Sequence, residues 1–350
     1  MSKGIPNHNY PTIGRQKSLS LFMNDINLGE VTAQPGTKKF GYIHVPGAAV
    51  ERNFVYRPLI GPPRPRSMPI PVMIVNGANK GPKLGILAGT HATEYPPIDA
   101  AIRLYTETDP TKLRGALLII PVLNVAAFWT TTPYLNPQDA LDISTLYNSE
   151  GRSISYLMAH TVRDVFWPKV EHLVELHGGD LMEDVVAHSA FEITGDVRVD
   201  NGSQLLAKAY GTEYIFERKG RDVRPSIGRP RIIAEAGREG KLEEEFTNLH
   251  LTGLTNIMKK LNMIDGKLKL AKKQTIVHGR YELFAHRAGL FYSKVKPGEN
   301  IRKGELIAVI KNLEGQIVEE IKATNDGVVQ LVMTNPVKLP NDMLYKIWMP

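Results

Sequence analysis

The chain has 350 residues, 42% hydrophobic and 23% charged, an ordinary globular composition whose length predicts two domains, or three. It contains no cysteine, which excludes a disulfide framework and any thiolate metal site, so a bound transition metal must take His, Asp or Glu ligands. The formal charge of +7 comes from scattered Lys and Arg, densest from Arg218 to Arg231, with no nucleic-acid-binding motif among them.

In chain order, Met1 to Gly29 is polar and lacks the apolar core of a signal peptide, and no stretch approaches the length of a membrane span. The expectation is a cytoplasmic protein with neither membrane nor nucleic-acid partner. Residues 1–75 read as an extended or β lead-in, with a β-like run at Gly41–Val45 and a proline-rich loop at Arg57–Pro71. From about residue 80 short apolar runs alternate with helical stretches. Strands are predicted at Leu84–Ala88, Ala116–Leu123, Leu173–Leu176, Glu213–Phe216 and Arg231–Ala234. Helices are predicted at Pro96–Thr106, from Ser153 to about Val170, at Gly202–Tyr210 and at Leu242–Met263, with a long polar loop from Asn124 to about Arg152. This alternation predicts an α/β domain over 76–265, a largely buried sheet flanked by helices. After Gly266 only short β runs between turn signals remain, so 266–350 reads as a small all-β domain.

Three strand ends carry candidate chemistry. Gly85-Ile-Leu-Ala-Gly-Thr-His91-Ala-Thr-Glu94 runs from a buried strand through a polar turn into a helix. The spacing lets one turn aim an imidazole and a carboxylate at a single point. Leu173-Val-Glu-Leu-His177-Gly-Gly places a second histidine at another strand end. His91, Glu94 and His177 make a His₂Glu set of the kind that holds one catalytic zinc with a position left for water. Arg231-Ile-Ile-Ala-Glu235 supplies a carboxylate in apolar surroundings, suited to act as general base. Each signal alone also fits an ordinary turn residue or ion pair; their recurrence at successive strand ends favours the site. His160, His172, His188, His250 and His286 lack such company and read as structural or surface residues.

With these motifs the chain resembles the succinylglutamate desuccinylase/aspartoacylase family of zinc hydrolases, relatives of the metallocarboxypeptidases, over roughly residues 40–350. The H-x-x-E motif matches His91–Glu94, the downstream zinc histidine matches His177 after 82 intervening residues, and the general base matches Glu235. Asn124 matches the asparagine that ends the family's Pro-Val-Leu-Asn strand. The resemblance implies a carboxypeptidase-like mixed sheet and a C-terminal domain similar to the biotinyl/lipoyl barrel-sandwich, without a carrier lysine. It implies one zinc per chain and hydrolysis of a small amide, anionic or polar, as in the bacterial N-acyl amino acid deacylases. It leaves a homo-oligomer open.

The chain departs from the family in its substrate loop. The usual Asp-Leu-Asn-Arg is Asp142-Ile-Ser144-Thr145 here, and the arginine expected about ten residues after Asn124 is replaced by the region of Pro133 and Tyr134. Asn124, Tyr134, Ser144, Thr145, Tyr147 and Arg152 are therefore the candidate substrate residues, with Arg198 and Arg229 as further arginines that could reach in. Two alternatives stand beside the deacylase reading: a metallopeptidase acting on a peptide-like conjugate, and a zinc-binding protein that has lost catalysis.

Overall fold

The computed structural model describes residues 25–45, 69–220 and 227–349. It opens on β1 (Ile26–Leu28) and β2 (Val31–Ala33), an antiparallel pair, and continues into β3 (Thr37–Ile43). Next come β4 (Ile70–Asn76), β5 (Asn79–Leu87), α1 (Tyr95–Glu107), β6 (Arg114–Ile120), α2 (Val125–Thr130) and α3 (Ile154–Thr161). β7 (His172–His177), β8 (Glu183–Glu192), α4 (Val197–Tyr210), β9 (Tyr214–Arg218), β10 (Arg231–Arg238) and α5 (Glu244–Lys260) complete the helical part. The rest is β11 (Thr275–Val277), β12 (Gly279–Phe284), β13 (Gly289–Ser293), β14 (Asn300–Ile301), β15 (Leu306–Lys311), β16 (Ile317–Lys322), β17 (Gly327–Met333), β18 (Val337–Lys338) and β19 (Met343–Met349).

One mixed sheet organises the molecule, in the order β12-β19-β17-β8-β10-β7-β5-β6-β4-β3, with β9 also pairing β8. Its centre, β10, β7, β5 and β6, is parallel. These strands are apolar on both sides because both faces are covered. Leu118 and Ile120 face a cluster with Tyr147, Phe166 and Trp167, while Leu117 and Ile119 face one built with α1, α4 and α5. Alternation along one strand thus feeds two cores. This is the expected mixed α/β class.

β8 forks the sheet. Its first residues, Glu183 to Val185, pair with β17, while His188 to Glu192 pair with β9. The strands after residue 275 therefore extend the main sheet through β17, β19 and β12, and β16-β15-β13-β18 form a separate four-stranded sheet. Trp348 of β19 seals the join, fully buried against His188, Tyr214 and Phe216.

Several elements differ from the sequence reading. The proline-rich loop at Arg57–Pro71 lies mostly outside the described residues, and its end, Ile70-Pro71, already belongs to β4. Proline is tolerated there because β6 pairs β4 only from Met73 onward, so Pro71 has a partner strand on one side alone. No local pattern marks β8, because its Glu-Asp-Val-Val-Ala-His-Ser-Ala stretch mixes in polar residues, of which Glu183 and His188 face the cavity described below. The strand predicted to Leu123 ends at Ile120, and the loop after it contains α2 and a 3-10 turn at Ile143–Thr145. The helix predicted from Ser153 to Val170 is α3 followed by a π turn at Val162–Phe166 and a 3-10 turn at Trp167–Lys169, which contains Pro168. Ser153 occupies the N-cap position, but its hydroxyl goes to Asp139 Oδ2 at 2.6 Å, and that oxygen accepts the Ser155 N–H at 2.9 Å. A distant carboxylate caps the helix in its place.

Candidate active site

The C-terminal ends of β5 and β7 and the body of β10 converge on one cavity of about 370 Å³. After β5 the chain turns sharply at Gly89, whose φ of +61° is left-handed. A Cβ there would come within 2.8 Å of Val122 Cα, so glycine is required both for the turn and for the close approach. The turn delivers His91, and Glu94 follows at the N-cap of α1. Pro96 and Pro97 fill the first helical turn, where their missing N–H groups cost nothing. Glu94 does not cap its helix; its carboxylate turns inward instead.

Glu94 Oε1 lies 2.8 Å from His91 Nδ1, and Oε2 lies 3.2 Å from His177 Nδ1. Oε2 also accepts the Gly178 N–H at 3.0 Å. A Cβ on Gly178 would stand 2.6 Å from the Ala236 carbonyl oxygen, so this approach too needs glycine. Burial opposes ionisation of Glu94, yet the two histidines hold its carboxyl down at about 2. One ligand atom from each of His91, Glu94 and His177 lies within 4.8 Å of the other two. Two imidazoles and a carboxylate in this cluster are a donor set that fits zinc.

The other nitrogen of His91, Nε2, lies 3.4 Å from Asp142 Oδ1. Burial disfavours the charge on Asp142, but His91 and the Ser144 N–H hold its carboxyl at about 2. Nε2 is buried with no hydrogen-bond partner among the described residues, so Asp142 acts on the ring through its charge, while Nδ1 faces Glu94. Behind it, Asp180 accepts from the Thr93 hydroxyl, from the Tyr134 N–H at 3.0 Å and from the Leu181 N–H at 2.6 Å. That network pins the turn and the Tyr134 backbone, which sits at a left-handed φ of 54°. The Tyr134 ring meets His91 edge-on at 5.8 Å. Burial, with Glu183 and Asp180 nearby, raises its phenol far above the ordinary value, so it remains a donor.

Glu235 is brought to the same cavity by strand pairing. Parallel register sets it beside His177 on β7, and antiparallel register sets it beside His188 on β8. The strand does not end at Glu235 but runs on to Arg238, with a register shift between Glu235 and Gly237. Such a bulge aims a side chain out of the regular pleat.

The remaining sequence candidates divide. Ser144 lines the cavity with Tyr134. Asn124 is fully buried and caps α2, its Oδ1 accepting from Ala127 N at 3.2 Å. The Thr145 hydroxyl is taken up by the Asp142 carbonyl at 2.9 Å. Tyr147 packs against Trp167 at 4.7 Å in the core beneath the sheet. Arg152 and Arg198 are exposed, and Arg229 bonds the Ile227 carbonyl at 3.4 Å; none of the three lines the cavity.

The cavity also carries groups that the sequence reading passed over: Glu183 and His188 of β8, Arg218 of β9, Arg280 of β12, Gln330 of β17 and Lys346 of β19. Burial pushes the Glu183 carboxyl up to about 7 against the pull of Lys346, with the Glu94 and Glu235 charges adding to the rise. His188, a structural residue on sequence grounds, lines the cavity while its Nδ1 bonds the Val186 carbonyl at 2.9 Å. The available signal was charge at the inward phase of a strand, as in Phe216-Glu-Arg218.

A mixed α/β sheet with titratable groups gathered beyond its strand ends is the architecture of an α/β enzyme. The chain belongs to the succinylglutamate desuccinylase/aspartoacylase family, whose catalytic-domain signature (Succinylglutamate desuccinylase/Aspartoacylase catalytic domain) matches residues 80–261. This is a family of acyl-amino-acid hydrolases. Among solved structures, the chain is similar to the product-bound ectoine utilization protein EutE (DoeB) of Ruegeria pomeroyi, at 19% identity and a TM-score of 0.80, over 94% of this chain and 99% of that one. It is also similar to a succinylglutamate desuccinylase/aspartoacylase of Rhodobacter sphaeroides, at 20% identity and a TM-score of 0.76, over 89% and 95%. A third likeness is to an aspartoacylase family protein of Mesorhizobium loti, at 18% identity and a TM-score of 0.74, over 93% and 99%. At these identities the likeness establishes the fold. A search of curated protein sequences found no match. No helix among the described residues is long and apolar enough to cross a membrane.

Proposed function

We propose that the protein hydrolyses the amide bond of a small N-acyl amino acid or related amide, with one zinc held by His91, Glu94 and His177 and with Glu235 as general base. The observation that carries this reading is the convergence of Glu235 and the three-donor cluster on one cavity. Zinc bound there would supply Lewis acidity, making water a better nucleophile and polarising the scissile carbonyl. The chain's own groups do the rest. Glu235 takes a proton from the attacking water as oxygen bonds to the carbonyl carbon. It then gives that proton to the amide nitrogen as the C–N bond breaks, releasing a carboxylate and an amine. Tyr134 donates its phenolic hydrogen toward the oxyanion that forms in between. Asp142 holds the His91 ring. A cavity of about 370 Å³, lined by Tyr134, Ser144 and residues of β17 and β19, matches a small molecule in size. The same reading takes a cytoplasmic location and a polar or anionic substrate.

The test is Glu235→Gln on zinc-loaded protein, against a panel of N-acyl amino acids read by mass spectrometry. The expected result is unchanged zinc content and hydrolysis reduced by about 10²-fold or more. Turnover in Glu235→Gln at the wild-type rate would remove Glu235 from the mechanism. A wild type that holds zinc and hydrolyses nothing would favour a binding protein.

A further inference from the structure

Gln330 is the one polar side chain in β17, Gly327-Val-Val-Gln-Leu-Val-Met333. It stands where the pairing on both sides of that strand loses register. Toward β19, Val329 pairs Ile347 and Leu331 pairs Lys346, so two steps along β17 match one along β19 and Gln330 is the extra residue. On the other side Val328 pairs with β14, whereas Leu331 pairs with Val185 of β8. A bulge takes a side chain out of the regular pleat. This one brings Gln330 to the cavity that His91, Glu94, His177 and Glu235 line.

Gln330 is only 6% exposed, and its Oε1 is buried with no hydrogen-bond partner among the described residues. A buried acceptor left unpaired loses its hydration and gains nothing in return. An apolar residue such as methionine would fill the same place in this strand without that cost. Leu331 shares a row with Val185 and Gly237. Gln330 is therefore two strands across from β10, about 10 Å from the strand that carries Glu235. A small acyl amino acid with its amide at Glu235 spans that gap with its far end. Arg280 and Lys346 line the cavity from β12 and β19, so an ammonium brought there meets two like charges, and a neutral group does not.

We propose that Gln330 accepts a hydrogen bond from a neutral donor, a hydroxyl or carboxamide, on the part of the substrate far from the scissile amide. It thereby selects substrates that carry such a group over apolar analogues of the same size. A buried acceptor discriminates in this way because the analogue leaves it unpaired. The proposal rests on the hydrolase reading for placing the amide at Glu235.

Binding to zinc-loaded Glu235→Gln protein tests it apart from turnover. Calorimetry compares N-acetylglutamine with N-acetylmethionine, of similar length, where the donor is on the amine portion. It also compares N-(γ-hydroxybutanoyl)alanine with N-pentanoylalanine, where the donor is on the acyl portion. The donor member of at least one pair should bind about tenfold tighter than its apolar twin. Adding Gln330→Met should erase that preference, while Gln330→Glu, which keeps an acceptor oxygen, should retain it. Gln330→Met also removes an unpaired buried acceptor, so the metal-free variant should melt at the parent's temperature or above it. The proposal is overturned if neither pair shows a preference, or if the preference survives in Gln330→Met. It is overturned equally if that variant melts lower, which would assign the amide to the fold. Because binding and melting are read without turnover, absent hydrolysis in the wild type would sink the catalytic reading and leave these results interpretable.

Discussion

Asp142→Ala isolates the carboxylate behind the proposed metal donors. In the native chain Asp142 Oδ1 stands 3.4 Å from His91 Nε2 and accepts the Ser144 N–H at 2.8 Å. Asp142 is only half-buried, and water will replace part of its contact with His91. Outer carboxylates of this kind typically change metal affinity by about 10–100-fold, or about 1.4–2.7 kcal/mol, and that is the expected loss. Asp142→Asn, which keeps an acceptor oxygen, should fall between the wild type and alanine. The assay is competition for zinc against a chromophoric chelator at fixed pH. Thermal unfolding of the metal-free proteins alongside separates the loss of the Ser144 cap, about 1 kcal/mol. Zinc affinity within twofold of the wild type in Asp142→Ala would refute the orienting role.

Two further outcomes concern stability. Arg231→Met leaves Glu175 and Glu192 buried without their shared cation, so a loss of about 3–5 kcal/mol is expected in denaturant unfolding; a loss below about 1 kcal/mol would mean the ladder relaxes into water. His250 is fully buried, its Nδ1 2.7 Å from the Tyr210 hydroxyl and its Nε2 3.1 Å from the Ala236 carbonyl, and burial drives its pKa down to about 4. Its folded value lies below the ordinary 6.5, so protons favour the unfolded chain; the contribution is complete above pH 6.5 and fades as pH falls toward 4, by about 3 kcal/mol in all. His250→Gln should flatten the dependence of stability on pH across that window, and an unchanged slope would assign it to other groups.

The sequence was most readable where one strand carries its whole meaning. Leu84–Ala88 is a continuous apolar run and Leu173–Leu176 is interrupted only by Glu175, because both faces of β5 and β7 are covered, and the polar residues that follow each run stand out. His91, Glu94 and His177 were visible for that reason, and Glu235 was visible in the same way on β10. β8 was not, because a strand that lines a cavity on one side and a core on the other breaks the apolar run with Glu183 and His188. Arg218, Arg280 and Lys346 lie far apart in sequence and meet only through the forked pairing of β8 with β9 and β17, which no local pattern encodes. Tyr147 illustrates the opposite error. Proximity in sequence to Asp142 suggested a substrate contact, but the 3-10 turn between them sends its ring into the core.

The fork in β8 has a kinetic meaning. His91 and Lys346 line one cavity yet are 255 positions apart (346 − 91), so the pocket closes only after some of the longest loops in the chain have closed. Loop closure of that span carries a large entropic cost that few contacts offset until late in folding. β5, β6 and α1 form from neighbouring segments and can assemble early. The cavity wall from β12, β17 and β19 cannot, because each must find β8 or a strand already docked on it. The proposed metal donors are therefore expected to come together before the wall from β12, β17 and β19 does.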